Sequence, residues 1–139
     1  MDDITQQKHT KEEIQRYLKS TFTCIKAKLY TVSKDPTTRA DNVSFARIYD
    51  MNKEEYEELF LSLTADNFSH SVQNWKPGFE HELLYVFRVD TMLLNVITSE
   101  YDDVTVYIKI NLLETPKMYC TYISCHEADE SKPFDYYQY

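Results

Sequence analysis

Two short segments near the end of the chain, VYIKI at 106–110 and ISCHE at 123–127, carry Tyr107, Lys109, His126 and Glu127. Lysine is depleted from strands, and histidine is not among the residues that favour them. An imidazole ordinarily titrates near about 6.5 and can give or take a proton at neutral pH. A lysine beside it adds a fixed positive charge. Alternation along a strand puts Tyr107 and Lys109 on one face of the first segment. It puts Ser124 and His126 together on the second. If the segments pair, Tyr107 and His126 lie within one side-chain length. Two readings fit: ordinary polar residues on a solvated face, or a reactive surface for proton transfer beside an anion. His70, in NFSHS, is a second imidazole, read either as a partner in that chemistry or as a loop histidine among serines. His81 stands between Glu80 and Glu82 and reads as a solvated loop residue.

The elements that must position these groups change period along the chain. HTKEEIQRYLKSTF predicts a helix, with Thr10 and Glu13 as a capping box and Ile14, Tyr17 and Leu18 on one apolar face. TCIKAKLYTV is compatible with a strand or with a continuation of that helix. KDPTTRADN is turn material, and NVSFARIYD predicts a short helix ending near Asp50. NKEEYEELFLSL is the clearest helix, capped by Asn52 and striped by Tyr56, Leu59, Phe60 and Leu63. TADNFSHSV can start another short helix, and QNWKPGFEH is a loop. From about residue 80 the period becomes two. ELLYVFRVD reads as a central strand, and VTVYIKINLL turns Val104, Val106, Ile108 and Ile110 inward. MYCTYISCHE sets Thr121, Ile123 and Cys125 opposite Tyr122, Ser124 and His126. TMLLNVITSEY is an extra strand or a loop. Helices first and strands second predict an α+β domain, with N-terminal helices packed on a C-terminal antiparallel sheet.

At 139 residues the chain is expected to form one domain over 1–139, with 1–9 and 129–139 as tails. Its aromatic ending, KPFDYYQY, could close over a sheet edge or meet a partner. A single glycine leaves no room for a Gly-rich phosphate loop, and no cofactor is expected. No apolar run reaches membrane-spanning length and the start is polar, so the expected location is the cytoplasm, with no membrane partner. Three cysteines argue against a disulfide framework. Cys120 and Cys125, five apart, are expected on opposite faces of a strand and hence not on one metal. His70, His81 and His126 lack any short ligand spacing, so no metal is expected. The net charge is −8. It is unevenly spread: nine Lys or Arg stand against four Asp or Glu over 8–47, and six against sixteen from 51 onward. A polyanion would therefore meet the first third.

The order of these elements, with TTR in a basic turn, LSLTADNFSHS, VYIKI and the closing ISCHEAD, resembles the MqsR-type toxins. These are small RNA-cutting proteins of the RelE/ParE superfamily, paired with antitoxins. The resemblance spans roughly residues 10–128. It implies a RelE-like fold, RNA as substrate and a cognate antitoxin as partner. The family's DFYKS-like segment falls on Asn67, Phe68, Ser69, His70 and Ser71, and its lysine on His70. The family's tyrosine falls on Tyr107, and the lysine of its SFKE-like segment on His126. Its glutamine falls near Leu84.

The resemblance implies an mRNA endoribonuclease with His70, Tyr107 and His126 as the reactive trio. Cleavage through the 2′-hydroxyl needs a base, an acid and a cation for the phosphorane. Two imidazoles can exchange the proton roles, and Lys109 or Arg39 can supply the charge. Lys26, Lys28, Arg39 and Lys109 are the expected RNA contacts. The alternative is a non-catalytic acidic binding protein, such as a phage or host-defence inhibitor, acting through protein–protein contact. The acidic part from 51 onward and the twelve tyrosines favour it.

Overall fold

In the computed structural model, which describes residues 8–129, Thr10 starts the first helix, α1 (Lys11–Lys26). Its hydroxyl accepts from the Glu13 amide and the Glu13 carboxylate accepts from the Thr10 amide, closing the capping box. Lys28 reverses the chain at φ 61°, and β1 (Tyr30–Val32) follows, so TCIKAKLYTV divides between helix and strand. Then come α2 (Ala40–Ile48) and α3 (Lys53–Leu61). Asn52 caps α3 by accepting from the Glu55 amide at 3.1 Å. A single 3-10 turn (Ala65–Asn67) leads into β2 (Phe68–Gln73), β3 (Leu83–Asn95), β4 (Glu100–Leu113) and β5 (Tyr119–Glu127).

The strands form one sheet in the order β1-β5-β4-β3-β2. All neighbours are antiparallel except β1 and β5, which run parallel, so the sheet is mixed and the domain is α+β. In TADNFSHSV, read as the possible start of a short helix, only Ala65–Asn67 makes a 3-10 turn, and from Phe68 the chain forms an edge strand instead. The segment is too polar to advertise a strand, yet Phe68, His70 and Val72 are held there by pairing with β3.

One sheet face carries the main core. Val104, Val106, Ile108 and Ile110 of β4 join Ile14, Leu18, Tyr56, Leu59 and Phe60 from the helices. Phe60 stacks on Tyr122 with ring centroids 3.6 Å apart, and Tyr17 stacks on Tyr85 at 3.9 Å. Such pairs add about 0.5–1.5 kcal/mol beyond the area they bury. His9, within the stretch expected to be a tail, is buried, with Nε2 3.0 Å from the Ser71 hydroxyl.

The strict alternation expected for β5 fails at one point. Lys109 pairs with Ser124 but Ile110 pairs with Tyr122, leaving Ile123 as an extra residue. This bulge puts Tyr122 and Cys125 in the main core, while Ile123 joins the second face beside Val72, Leu84, Val86 and Tyr107. Cys120 and Cys125 consequently lie in the same core cluster rather than on opposite faces. Burial pushes both thiols up to about 12. Among the described residues no group of His, Cys, Asp or Glu is arranged to hold a metal, and no helix is long and apolar enough to cross a membrane. The aromatic ending at 132–139 lies outside the described residues.

Candidate functional site

Asn42 builds the ground beneath the site. β1 stops at Val32, and the Asn42 side chain takes over its edge. The Asn42 Nδ2 donates to the Ser33 and Ile123 carbonyls at 2.8 and 2.9 Å, and its Oδ1 accepts from the Cys125 amide at 3.0 Å. The amide thus satisfies the backbone that the bulge would leave unpaired. It also anchors the start of α2 beside the second face of the sheet. Arg39, just before that helix, lines one cleft with Ser124 and His126, and another with Lys109 and Ile123.

On this second face Tyr107 pairs with His126 on one side and Arg88 on the other. The Tyr107 and His126 rings stack, 5.4 Å between centroids and 17° between planes. Both are half-buried. His126 Nδ1 lies 2.9 Å from the Glu127 carbonyl oxygen, which can only accept. In the neutral ring this hydrogen bond puts the proton on Nδ1 and the lone pair on Nε2. The next row of the face reads Ser124, Lys109, Val86 and His70 across β5, β4, β3 and β2. Lys109 therefore neighbours the stacked pair.

The structure does not bring His70 to that pair. His70 lies three strands from His126, about 14 Å at the usual strand spacing of about 4.8 Å. It is buried, not in a loop, and its Nδ1 is 2.7 Å from the Ser69 hydroxyl. The expected trio therefore divides into Tyr107 with His126, and His70 elsewhere. The expected RNA contacts divide too. Arg39 and Lys109 flank the second face, whereas Lys26 ends α1, Lys28 lies just beyond it, and neither lines the clefts beside that face. Lys28 Nζ is 2.6 Å from Glu57, whose carboxylate also accepts from the Tyr30 hydroxyl at 2.7 Å. These hydrogen bonds hold Glu57 below its ordinary carboxylate range.

Sequence reasoning passed over Asn42, Arg88, Trp75 and Lys76. Arg88 was visible as a lone cation in an apolar strand, in phase with the polar face of β4. Trp75, the single tryptophan, was visible as a large apolar residue in a polar loop. Asn42 carried no local signal, since its partners lie 81 and 83 residues away as well as nine. No protein-family model matches this chain, and no curated protein or solved structure matches it significantly.

Proposed function

We propose that the protein is an RNA-cleaving toxin of a toxin–antitoxin pair, acting on RNA across the second face of the sheet. The observation that carries this reading is the stacked Tyr107–His126 pair, with one imidazole nitrogen fixed by a backbone carbonyl and cations on both flanks. His126 Nε2 takes the proton of a ribose 2′-hydroxyl. The resulting oxygen attacks the adjacent phosphorus, the bond to the 5′ oxygen breaks, and a 2′,3′-cyclic phosphate remains. Arg39 and Lys109 hold the negative charge of the phosphorane. Tyr107 orients the imidazole and returns a proton to the departing oxygen. His70 has no part in this step, because it lies too far along the sheet. A cognate antitoxin is the expected protein partner, and the resemblance to MqsR-type toxins supports the whole assignment. Incubating the purified chain with mixed RNA oligonucleotides should yield fragments ending in cyclic phosphate, and His126→Ala should slow their formation about 100-fold. Intact RNA after prolonged incubation with folded protein at low salt would sink the proposal.

A second reading has its own observation. Beyond the pairing of Asp90 with Thr105, β3 and β4 run on as a two-stranded ribbon to Asn95 and Glu100. At about 3.4 Å per residue it projects roughly 17 Å. Its outer face exposes Met92, Leu94 and Tyr101 beside Asp90 and Asp103, and its tip exposes Val96 and Ile97. An apolar surface with an acidic border suits a protein partner that carries basic residues. A binding protein without catalysis would use this ribbon and leave His126 dispensable.

A further inference from the structure

The loop between β2 and β3 is built rather than slack. Asn74 and Glu82 close it, the Asn74 amide donating to the Glu82 carbonyl at 3.0 Å. Lys76, Pro77, Gly78 and Phe79 make a tight turn, in which the Phe79 amide donates to the Lys76 carbonyl at 2.9 Å. Gly78 sits at φ 91°, the left-handed position that the third residue of a type II turn requires, and Pro77 precedes it. The Gly78 amide donates to the Glu80 carboxylate at 2.6 Å, and Gln73 Nε2 to the Glu80 carbonyl at 2.9 Å. This loop presents Trp75 at 53% exposure and Phe79 at 41%. Two large aromatic side chains are thus held out toward water by a hydrogen-bonded frame, at a conformational cost that burial would ordinarily offset.

Below them lies an open cleft of about 410 Å³. That is within the range, roughly 300–1,000 Å³, of sites that take small organic ligands. Its floor is apolar, made by Val72, Leu84 and Ile123, and its walls bring in Arg39, Lys76 and Lys109. Three cations converge here in a chain of net charge −8. Among the described residues Glu82 is the one carboxylate on the lining, and its oxygen accepts from the side-chain amides of Asn74 and Asn111, both at 3.0 Å. Lys76 Nζ lies 5.2 Å from the Phe79 ring centroid, so its charge is placed at the rim.

A flat ring held out for stacking, an apolar floor and clustered cations together select a planar heterocycle joined to an anion. We infer that this cleft takes one unpaired nucleotide of a single-stranded RNA, its base stacked on Trp75 and its phosphate between Arg39 and Lys109. The inference rests on the RNA reading above and deepens it. Arg39 and Lys109 serve both the cleft and the Tyr107–His126 pair, so the nucleotide would lie next to the phosphate that is cut. Base–aromatic stacking tolerates any base, so the cleft anchors the strand without reading its sequence.

Trp75 is the only tryptophan, so its fluorescence reports directly on the cleft. A five-nucleotide RNA is titrated into the full chain carrying His126→Ala, which keeps the strand intact, and a nucleoside 5′-monophosphate is titrated in parallel. The expected result is saturable quenching by the oligonucleotide that weakens with salt. Trp75→Ala should weaken binding of a dye-labelled oligonucleotide about tenfold, as loss of one stacked base does, and Trp75→Phe should restore most of it. In the wild-type background Trp75→Ala should raise KM for cleavage by a similar factor. RNA that is bound and cleaved without quenching, and with no loss in Trp75→Ala, would overturn the cleft assignment while leaving the RNA reading standing. Quenching by the free nucleotide with no binding of the oligonucleotide would overturn the strand assignment and the RNA reading together. Absence of quenching by both ligands, with no RNA bound, would also overturn both.

Discussion

The same two strands carry opposite chemistry at their two ends. Where β2 and β5 flank them, the second face of β3 and β4 presents Arg88, Tyr107 and Lys109, with His126 and Arg39 alongside. On the ribbon, the continuation of that face presents Asp90, Met92 and Leu94 opposite Thr105, Asp103 and Tyr101. The border is a row in which Asp90 accepts from the Thr105 hydroxyl at 2.7 Å and from Arg88 Nε at 3.3 Å. Strand periodicity therefore determines which residues share a face. The neighbouring elements determine what that face can do. The loop carrying Trp75 and the start of α2 flank only the first end, and they bring the aromatic ring and the extra cations. Among the described residues no strand flanks the ribbon, and its outer face presents its own side chains.

The largest expected effect is at the first end. His126→Ala should lower RNA cleavage by about 100-fold, within the range for loss of a positioned proton-transfer group, with the melting temperature nearly unchanged. Tyr107→Phe should lower it by at least about tenfold. A gel assay on the purified variants decides, and unchanged rates in both would remove the distinction between the two ends.

Asn42→Ala should come next, as a stability effect. It leaves the buried Cys125 amide and the part-buried Ile123 and Ser33 carbonyls without this partner, and the buried amide by itself costs about 1–3 kcal/mol. Denaturant unfolding measures this loss. A cost below about 0.5 kcal/mol would mean that the bulge does not depend on α2.

A smaller effect separates the two sets of cations. Arg39→Ala should flatten the logarithmic salt dependence of RNA binding by about 0.7, the value for one lost phosphate contact on a single strand. Lys26→Ala and Lys28→Ala should leave it unchanged, because neither residue lines the two clefts that Arg39 lines and Lys28 is engaged by Glu57. The Glu57 carboxylate is held low in the folded chain. Whatever stability it adds is present above the ordinary carboxylate range and is lost as pH falls through its lower folded value. Glu57→Gln should therefore matter at neutral pH and converge with the wild type in acid.

The smallest effect belongs to the ribbon. Replacing Leu94 and Tyr101 with Ser should change stability by no more than about 0.5 kcal/mol per site, as for exposed positions away from packing or capping, and should leave cleavage unaltered. Asp102 is different despite its place in the acidic run. Its Oδ2 accepts from the Tyr49 hydroxyl and the Asn95 amide, both at 3.0 Å, so reversing its charge would disturb the ribbon itself. A drop in RNA cleavage from the Leu94 and Tyr101 changes would join the two ends into one surface.

The sequence alone determined features whose physics is local. Thr10 with Glu13, and Asn52 with Glu55, specify helix starts, because a cap hydrogen bond spans three residues. The alternation from Val104 to Ile110 specifies the buried face of β4, because a strand repeats every two residues. The order of helices before strands was enough for the α+β class. Only the tertiary structure decided the rest, since it depends on partners distant in the chain. The bulge at Ile123 exists where the Asn42 amide satisfies it from α2, and that one extra residue put Cys120 and Cys125 on the same side. β1 runs parallel to β5 through a pairing that joins residues 30–32 to 120–122. His70 and His126 were equivalent as imidazoles in the sequence. Strand order set His126 beside Tyr107 and left His70 two strands from that tyrosine and three from His126, because hydrogen-bonded register, not spacing along the chain, fixes which side chains meet.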